Sequence, residues 1–166
     1  MDEVWVLRLT HRAYRDQRMS THVCLVARAF GARGIYIHGA TDRAMEKSLK
    51  EVEKGWGGGF SLRFVPSYRK VIEDWKGGGG LVIHLTMKGS HIDDVIEEIR
   101  SSTAPKLVVV GSKKVPGEVY ARADLNVAVG SQPHSEVSAL AVFLDRLFKG
   151  RELHTGPDLK GASSAY

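Results

Sequence analysis

Apolar positions along this chain fall into two alternating kinds of segment. Short runs of four to six residues, at Val4–Leu9, Ile35–His38, Leu62–Val65, Leu81–Leu85, Leu107–Val110 and Leu125–Val129, are apolar almost throughout and read as buried strands. Between several of them the period lengthens. Ser20 or Thr21 can cap a helix running to Phe30, with Val23, Val26, Ala27 and Phe30 on one face. Thr41 or Asp42 can cap a second, Arg43–Lys54, whose alternating charges mark a solvated outer side. Tyr68–Trp75, Ile92–Ile99 and Ser135–Phe148 read as further helices, while Thr10–Met19 is too polar and aperiodic to be other than a loop. Strands apolar on both faces, alternating with helices, predict an α/β fold with a mostly parallel sheet and helices on both faces. Residues 1–150 read as one domain, followed by an extension over 151–166 that forms a hairpin or a frayed tail.

Composition adds little until charge is located. The 166 residues carry a net charge of +5, and Arg8, His11, Arg12, Arg15 and Arg18 fall within eleven positions broken by one acid, Asp16. That cluster favours an anionic partner. The single Cys24 lies in a helix-periodic apolar stretch and reads as a buried hydrophobe in a reducing compartment. The opening MDEVWVLRL is acidic and then strand-like, and no run of about eighteen apolar residues follows anywhere, so a soluble cytoplasmic protein without a membrane partner is expected.

Ligands of such sheets bind beyond the carboxyl ends of the strands. Four loops qualify: the basic one, Leu85-Thr86-Met87, Gly111–Pro116 and Gly130–Glu136. No G-x-G-x-x-G follows the first strand and no G-x-x-x-x-G-K-[ST] occurs, which disfavours a dinucleotide dehydrogenase and a P-loop NTPase. The glycine runs Gly57–Gly59 and Gly77–Gly80 do not lead from a strand into a helix and read as turns. With one cysteine and no H-E-x-x-H, zinc has no support.

The strings RLTHRAYRDQRMSTHVCLVARAFGA, LVVVGSKKVPGEVYARADLNVAVG and SQPHSEVSALAVFLDRLF, spread from Arg8 to Phe148, resemble the motif regions of the archaeal tRNA (cytidine(56)-2'-O)-methyltransferase family of the SPOUT superfamily. The resemblance implies a C-terminal deep trefoil knot, a homodimer and methyl transfer from S-adenosyl-L-methionine to the ribose 2'-OH of cytidine 56 in the TΨC loop of tRNA. It puts the cofactor at Leu85, Gly111, Ser112, Lys113, Lys114, Val115, Val129, Gly130, Ser131, Gln132, Pro133, His134, Ser135 and Glu136. Leu85 and Val115 could sandwich a purine while backbone groups read its edge, and Glu136 could offset the sulfonium. Ser135 and Glu136 would equally cap the last helix and favour its first turn. Val137, Leu140, Ala141, Leu144 and Phe148 serve core packing alone or core and dimer packing together.

Arg15 and Arg18 are the expected catalytic pair, acting across the dimer on the ribose and its phosphate. Related enzymes carry their arginine inside the first helix, at the place aligned here with Leu25; Arg28, one turn on, is the contender, or forms a surface ion pair. Arg12, Lys113 and Lys114 are expected to hold RNA backbone. Tyr14 is the aromatic to test against a flipped base, and packing within its own loop would use it equally well. The rival functions are a SPOUT 2'-O-methyltransferase for another RNA site and a non-catalytic RNA-binding dimer.

Overall fold

The computed structural model describes residues 3–111 and 114–154. Strands and helices alternate: β1 (Val4–His11), α1 (Gln17–Ala29), β2 (Gly34–Gly39), α2 (Arg43–Trp56), β3 (Ser61–Val65), α3 (Tyr68–Gly77), β4 (Leu81–His91), α4 (Ile92–Ser101), β5 (Lys106–Val110), α5 (Gly117–Arg122), β6 (Leu125–Ala128) and α6 (Glu136–Phe148). A 3-10 turn, Arg151–His154, follows. The rest of the expected extension, 155–166, with its hairpin, lies outside the described residues, as do Ser112 and Lys113.

The six strands form one sheet in the order β3-β2-β1-β5-β4-β6, every pair parallel. The two-residue period of a strand then sorts the core. Val4 and Val6 of β1 with Val108 and Val110 of β5 face α1, α2, α4 and α6; Trp5, Leu7 and Leu9 with Leu107 and Val109 face α3 and α5. Helices therefore cover both faces, as expected, and all six carboxyl ends lie along one edge. Cys24 is buried, and burial pushes its thiol up to about 12, which leaves it inert as a nucleophile.

Four expectations are corrected. Helix α1 begins at Gln17, not after Ser20 or Thr21, because Asp16 takes the N-cap position and the polar residues Gln17 and Arg18 form its first turn. The first strand runs on to His11 through a shift in its pairing with β2 between Arg8 and His11. The fourth strand does not stop at Leu85. After an irregularity it resumes, so that Leu85 and Ser90 both pair with Val127 and the strand reaches His91. Helix α5 was not expected from the sequence; its six residues are too few to express a helical period.

The return of β4 depends on Gly89. A Cβ there would lie 2.4 Å from the carbonyl carbon and oxygen of Asn126 and 2.5 Å from the amide nitrogen of Val127. These are backbone atoms in a paired strand and cannot swing aside. Gly89→Ala is expected to destabilise the fold by about 1–3 kcal/mol, read as a lowered urea midpoint with unchanged slope.

Candidate active site at the carboxyl edge of the sheet

Arg8 is the charged residue in an otherwise apolar β1, and its side chain is buried on the α1–α6 side, 1% exposed. Such a charge needs a partner. Glu136, the first residue of α6, supplies it: Arg8 Nε and Nη2 both donate to Oε1, at 3.1 and 2.7 Å. Arg8 Nη1 and Glu136 Oε2 are buried with no hydrogen-bond partner among the described residues. Burial raises the Glu136 carboxyl above its ordinary range, and the Arg8 charge and hydrogen bonds pull it back. Ser135 caps α6, accepting from the amides of Val137 and Ser138, so both expected uses of this dipeptide as helix start are realised.

The arginine loop is held from inside. His11 is buried between Ser20 Oγ, 2.6 Å from Nδ1, and Asp42 Oδ2, 3.2 Å from Nε2. Asp42 Oδ1 also accepts from the Met45 amide and caps α2. A Ser–His–Asp alignment suggests nucleophilic chemistry, but Ser20 is fully buried and no substrate reaches it; the network ties β1, α1 and α2 together. Asp16 accepts from the Arg12 amide and guanidinium, at 2.9 Å for N, 2.9 Å for Nε and 3.1 Å for Nη2. Those bonds, led by the Arg12 side chain, hold the Asp16 carboxyl down at about 2. They also explain why Asp16 makes no side-chain cap.

Two residues of this segment pass through positive φ without being glycine: Thr10 at 58° and Tyr14 at 70°. Each costs on the order of 1–3 kcal/mol. Arg15 and Arg18 point into solvent, and neither side chain has a hydrogen-bond or ion-pair partner among the described residues. The basic cluster read from the sequence is thus divided, with Arg8 and His11 inside and Arg12, Arg15 and Arg18 outside. Arg28 takes the ion-pair alternative, donating to Glu53 Oε1 at 2.7 Å and to the Gly57 carbonyl.

The other expected residues gather at the same edge. Leu85 is 8% exposed at the irregularity of β4, Gly111 directly follows β5, and Val129 directly follows β6. A Cβ on Gly111 would sit 2.5 Å from Val115 Cγ2, so the glycine lets Val115 close over the strand end. Lys114 and Ser131–Ser135 are exposed. Gly130 takes φ 79°, and His134 closes the loop: Nε2 faces the Val129 carbonyl and Nδ1 the Ser135 carbonyl at 3.1 Å. Two carbonyl acceptors, Val129 first, favour the doubly protonated ring and raise its pKa. Sequence reasoning missed His84, whose buried ring sits edge-on to Tyr120, at 4.8 Å, with Nδ1 2.9 Å from Asn126 Oδ1. Its signal was a lone polar residue in the Leu81–Leu85 run. The open hollows along α2 (Thr41, Glu46, Lys50) and beside Trp75 and Pro105 include none of these loop residues. No cluster of metal-ligating side chains occurs among the described residues.

The architecture matches solved structures of SpoU/TrmH-type methyltransferases. The SpoU methyltransferase AviRb from Streptomyces viridochromogenes, in complex with AdoMet, aligns with TM-score 0.62 at 17% identity over 91% of this chain and 59% of that one. The A. aeolicus TrmH/SpoU tRNA modifying enzyme aligns with TM-score 0.63 at 14% identity, covering 97% and 82%. The fold is therefore that of the SpoU/TrmH methyltransferases. A profile described as tRNA ribose 2'-O-methyltransferase, aTrm56, matches residues 56–162. The tRNA (cytidine(56)-2'-O)-methyltransferase of Methanopyrus kandleri is 58% identical over 149 residues, 90% of this chain and 83% of the relative. That of Pyrococcus horikoshii is 50% identical over 160 residues, covering 95% and 76%. This chain belongs to the aTrm56 family of tRNA ribose 2'-O-methyltransferases.

Glu136→Ala leaves the Arg8 guanidinium buried and unpaired. A loss of about 3–5 kcal/mol is expected, seen calorimetrically as a transition roughly 6–20 °C lower, and combining Arg8→Met with Glu136→Leu should recover most of it. The Asp16 clamp has the opposite acid signature from a raised group. Its folded pKa of about 2 lies below the ordinary 3.8, so its contribution is full above about pH 4 and lost as pH falls through about 2. Urea midpoints measured down that range should fall less steeply for Asp16→Asn than for the wild type.

Proposed function

We infer that this protein transfers the methyl group of S-adenosyl-L-methionine to the ribose 2'-OH of cytidine 56 in the TΨC loop of tRNA. The observation that carries the reading is family membership over nine-tenths of the chain, joined to strand-end loops of the right chemistry at one edge of the sheet. The residues suit the cofactor. Leu85 and Val115 offer apolar faces for a purine, and Gly111 together with Val129, Gly130, Ser131, Gln132, Pro133, His134 and Ser135 offers backbone groups to read its edge. Ser112, Lys113 and Lys114 complete the loop after β5. When bound, the cofactor supplies an activated methyl group for in-line displacement by the ribose oxygen.

The chain's own task is to place the hydroxyl and stabilise it as its proton leaves. Arg15 and Arg18 have no partners to give up among the described residues, and the guanidinium fork suits a phosphate and a developing oxyanion, while arginine as a residue type is a poor base. Glu136 serves the cofactor site as the anchor of Arg8 rather than as a free carboxylate beside the sulfonium. The working unit we propose is a homodimer in which the arginine loop of one protomer serves the cofactor loops of the other. Half-exposed Met19 of α1 and Val142 of α6, on two helices packed together, support that face for the contact. We propose the C-terminal trefoil knot with family membership as its support, and read residues 1–150 as the methyltransferase domain with 151–166 as its extension. No described helix is long and apolar enough to cross a membrane; its tRNA substrate places the protein in the cytoplasm.

Purified protein incubated with labelled S-adenosyl-L-methionine and an unmodified tRNA transcript should label the 2'-oxygen of cytidine 56, located by nuclease mapping. Arg15→Ala combined with Arg18→Ala should lower kcat by about 100-fold or more with an unchanged circular dichroism spectrum. Full turnover in that variant excludes the two arginines; label at another nucleotide excludes the substrate.

A further inference from the structure

The turn that carries the arginines does something costly with its one aromatic residue. The Arg15 amide donates to the Ala13 carbonyl at 2.9 Å, a bond spanning a single residue, and that residue is Tyr14 at φ 70°. This is a γ-turn of positive φ, rare, and strained for a residue that carries a Cβ. The turn is enclosed in a wider one, closed by the Asp16 amide on the Arg12 carbonyl at 3.0 Å and locked by the Asp16 carboxylate on Arg12. The strain is thus imposed by a rigid frame. Its outcome is a tyrosine 94% exposed, the most exposed large hydrophobic side chain described, whose ring makes no hydrogen bond or ring contact within the described residues.

We propose that Tyr14 is a stacking platform for an unstacked nucleobase of the RNA substrate. The proposal rests on the reading that the substrate is RNA. Exposed Arg12, Arg15 and Arg18 flank Tyr14 along the same stretch of chain, while the acid of the loop, Asp16, is turned inward and paired with Arg12. Cations that follow a phosphate chain, with an aromatic face between them, are the arrangement that takes single-stranded nucleic acid. A base inside an intact helix offers no free face, so the platform suits a loop nucleotide splayed from its neighbours. The γ-turn fixes the direction of the Cα–Cβ bond, so that only the side-chain torsions remain for binding to order. The same loop of a second copy is the less suitable occupant, since a two-fold contact of loop with loop would set arginines against their own mates.

Glycine separates the turn from the ring, because it takes positive φ without strain. Tyr14→Gly should melt at or above the wild-type temperature, yet bind the tRNA transcript about tenfold or more weakly in filter assays, with kcat/KM for tRNA falling in parallel. Tyr14→Ala should show the same loss of RNA binding, and Tyr14→Phe should stay within about threefold of wild type because stacking needs only the ring. Affinity for S-adenosyl-L-methionine alone should not change. Wild-type tRNA affinity in Tyr14→Gly and Tyr14→Ala overturns the proposal, and so does a loss of binding that follows dissociation into monomers by light scattering, which would make Tyr14 a subunit contact. A wild-type protein that binds the transcript without methylating it would overturn the assigned reaction, and the binding comparison would still decide the role of Tyr14.

Discussion

A guanidinium placed in the middle of a parallel sheet has to be neutralised there, and the arrangement of the active edge follows from how Arg8 meets that demand. Its partner, Glu136, lies 128 residues away at the start of the closing helix. The pair fixes the beginning of α6 over the end of β1, and with it the end of the Val129–Ser135 loop. Buried ion pairs of this kind contribute little net stability compared with well-packed apolar residues, but they discriminate strongly against misplacement. A helix register shifted by one residue would strand two charges.

Around that anchor the edge is divided into a tied interior and a solvent-facing exterior. His11, Ser20 and Asp42 bind three elements beneath the loop, and Asp16 spends its charge on Arg12 rather than on the helix cap. The strain at Thr10 and Tyr14 survives because these contacts over-determine the backbone. Arg15 and Arg18 are left outside with no partner among the described residues, a disposition suited to a polyanion arriving from solvent.

Much of this was legible beforehand. The apolar runs located six strands and the helical periods located five helices, because both report burial directly. The resemblance carried by the Arg8–Ala32 and Leu107–Phe148 segments led to the family. What pattern could not express were the pieces held by specific contacts. The second half of β4 is polar and pairs only with an edge strand, α5 is shorter than two turns, and α1 starts at least four residues early, on Gln17, Arg18, Met19 and Ser20, which show no apolar spacing. In the site, the cationic cluster was visible as a count of charges but not as two populations. Arg8 in an apolar run and His84 in another were the signals that a partner must exist, and nothing local names Asn126 or Glu136 as that partner.

The sequence distance between Arg8 and Glu136 also bears on how the chain is made. During synthesis β1 leaves the ribosome first, bearing a cation that it cannot bury until the closing helix has emerged. At about 5–20 residues per second, the 128 intervening residues take roughly 6–26 s. Throughout that interval the Arg8 guanidinium is without the carboxylate that neutralises it in the folded protein, which gives the central strand a reason to stay hydrated. The last helix to be made is thereby the one that lets the first strand settle into the sheet.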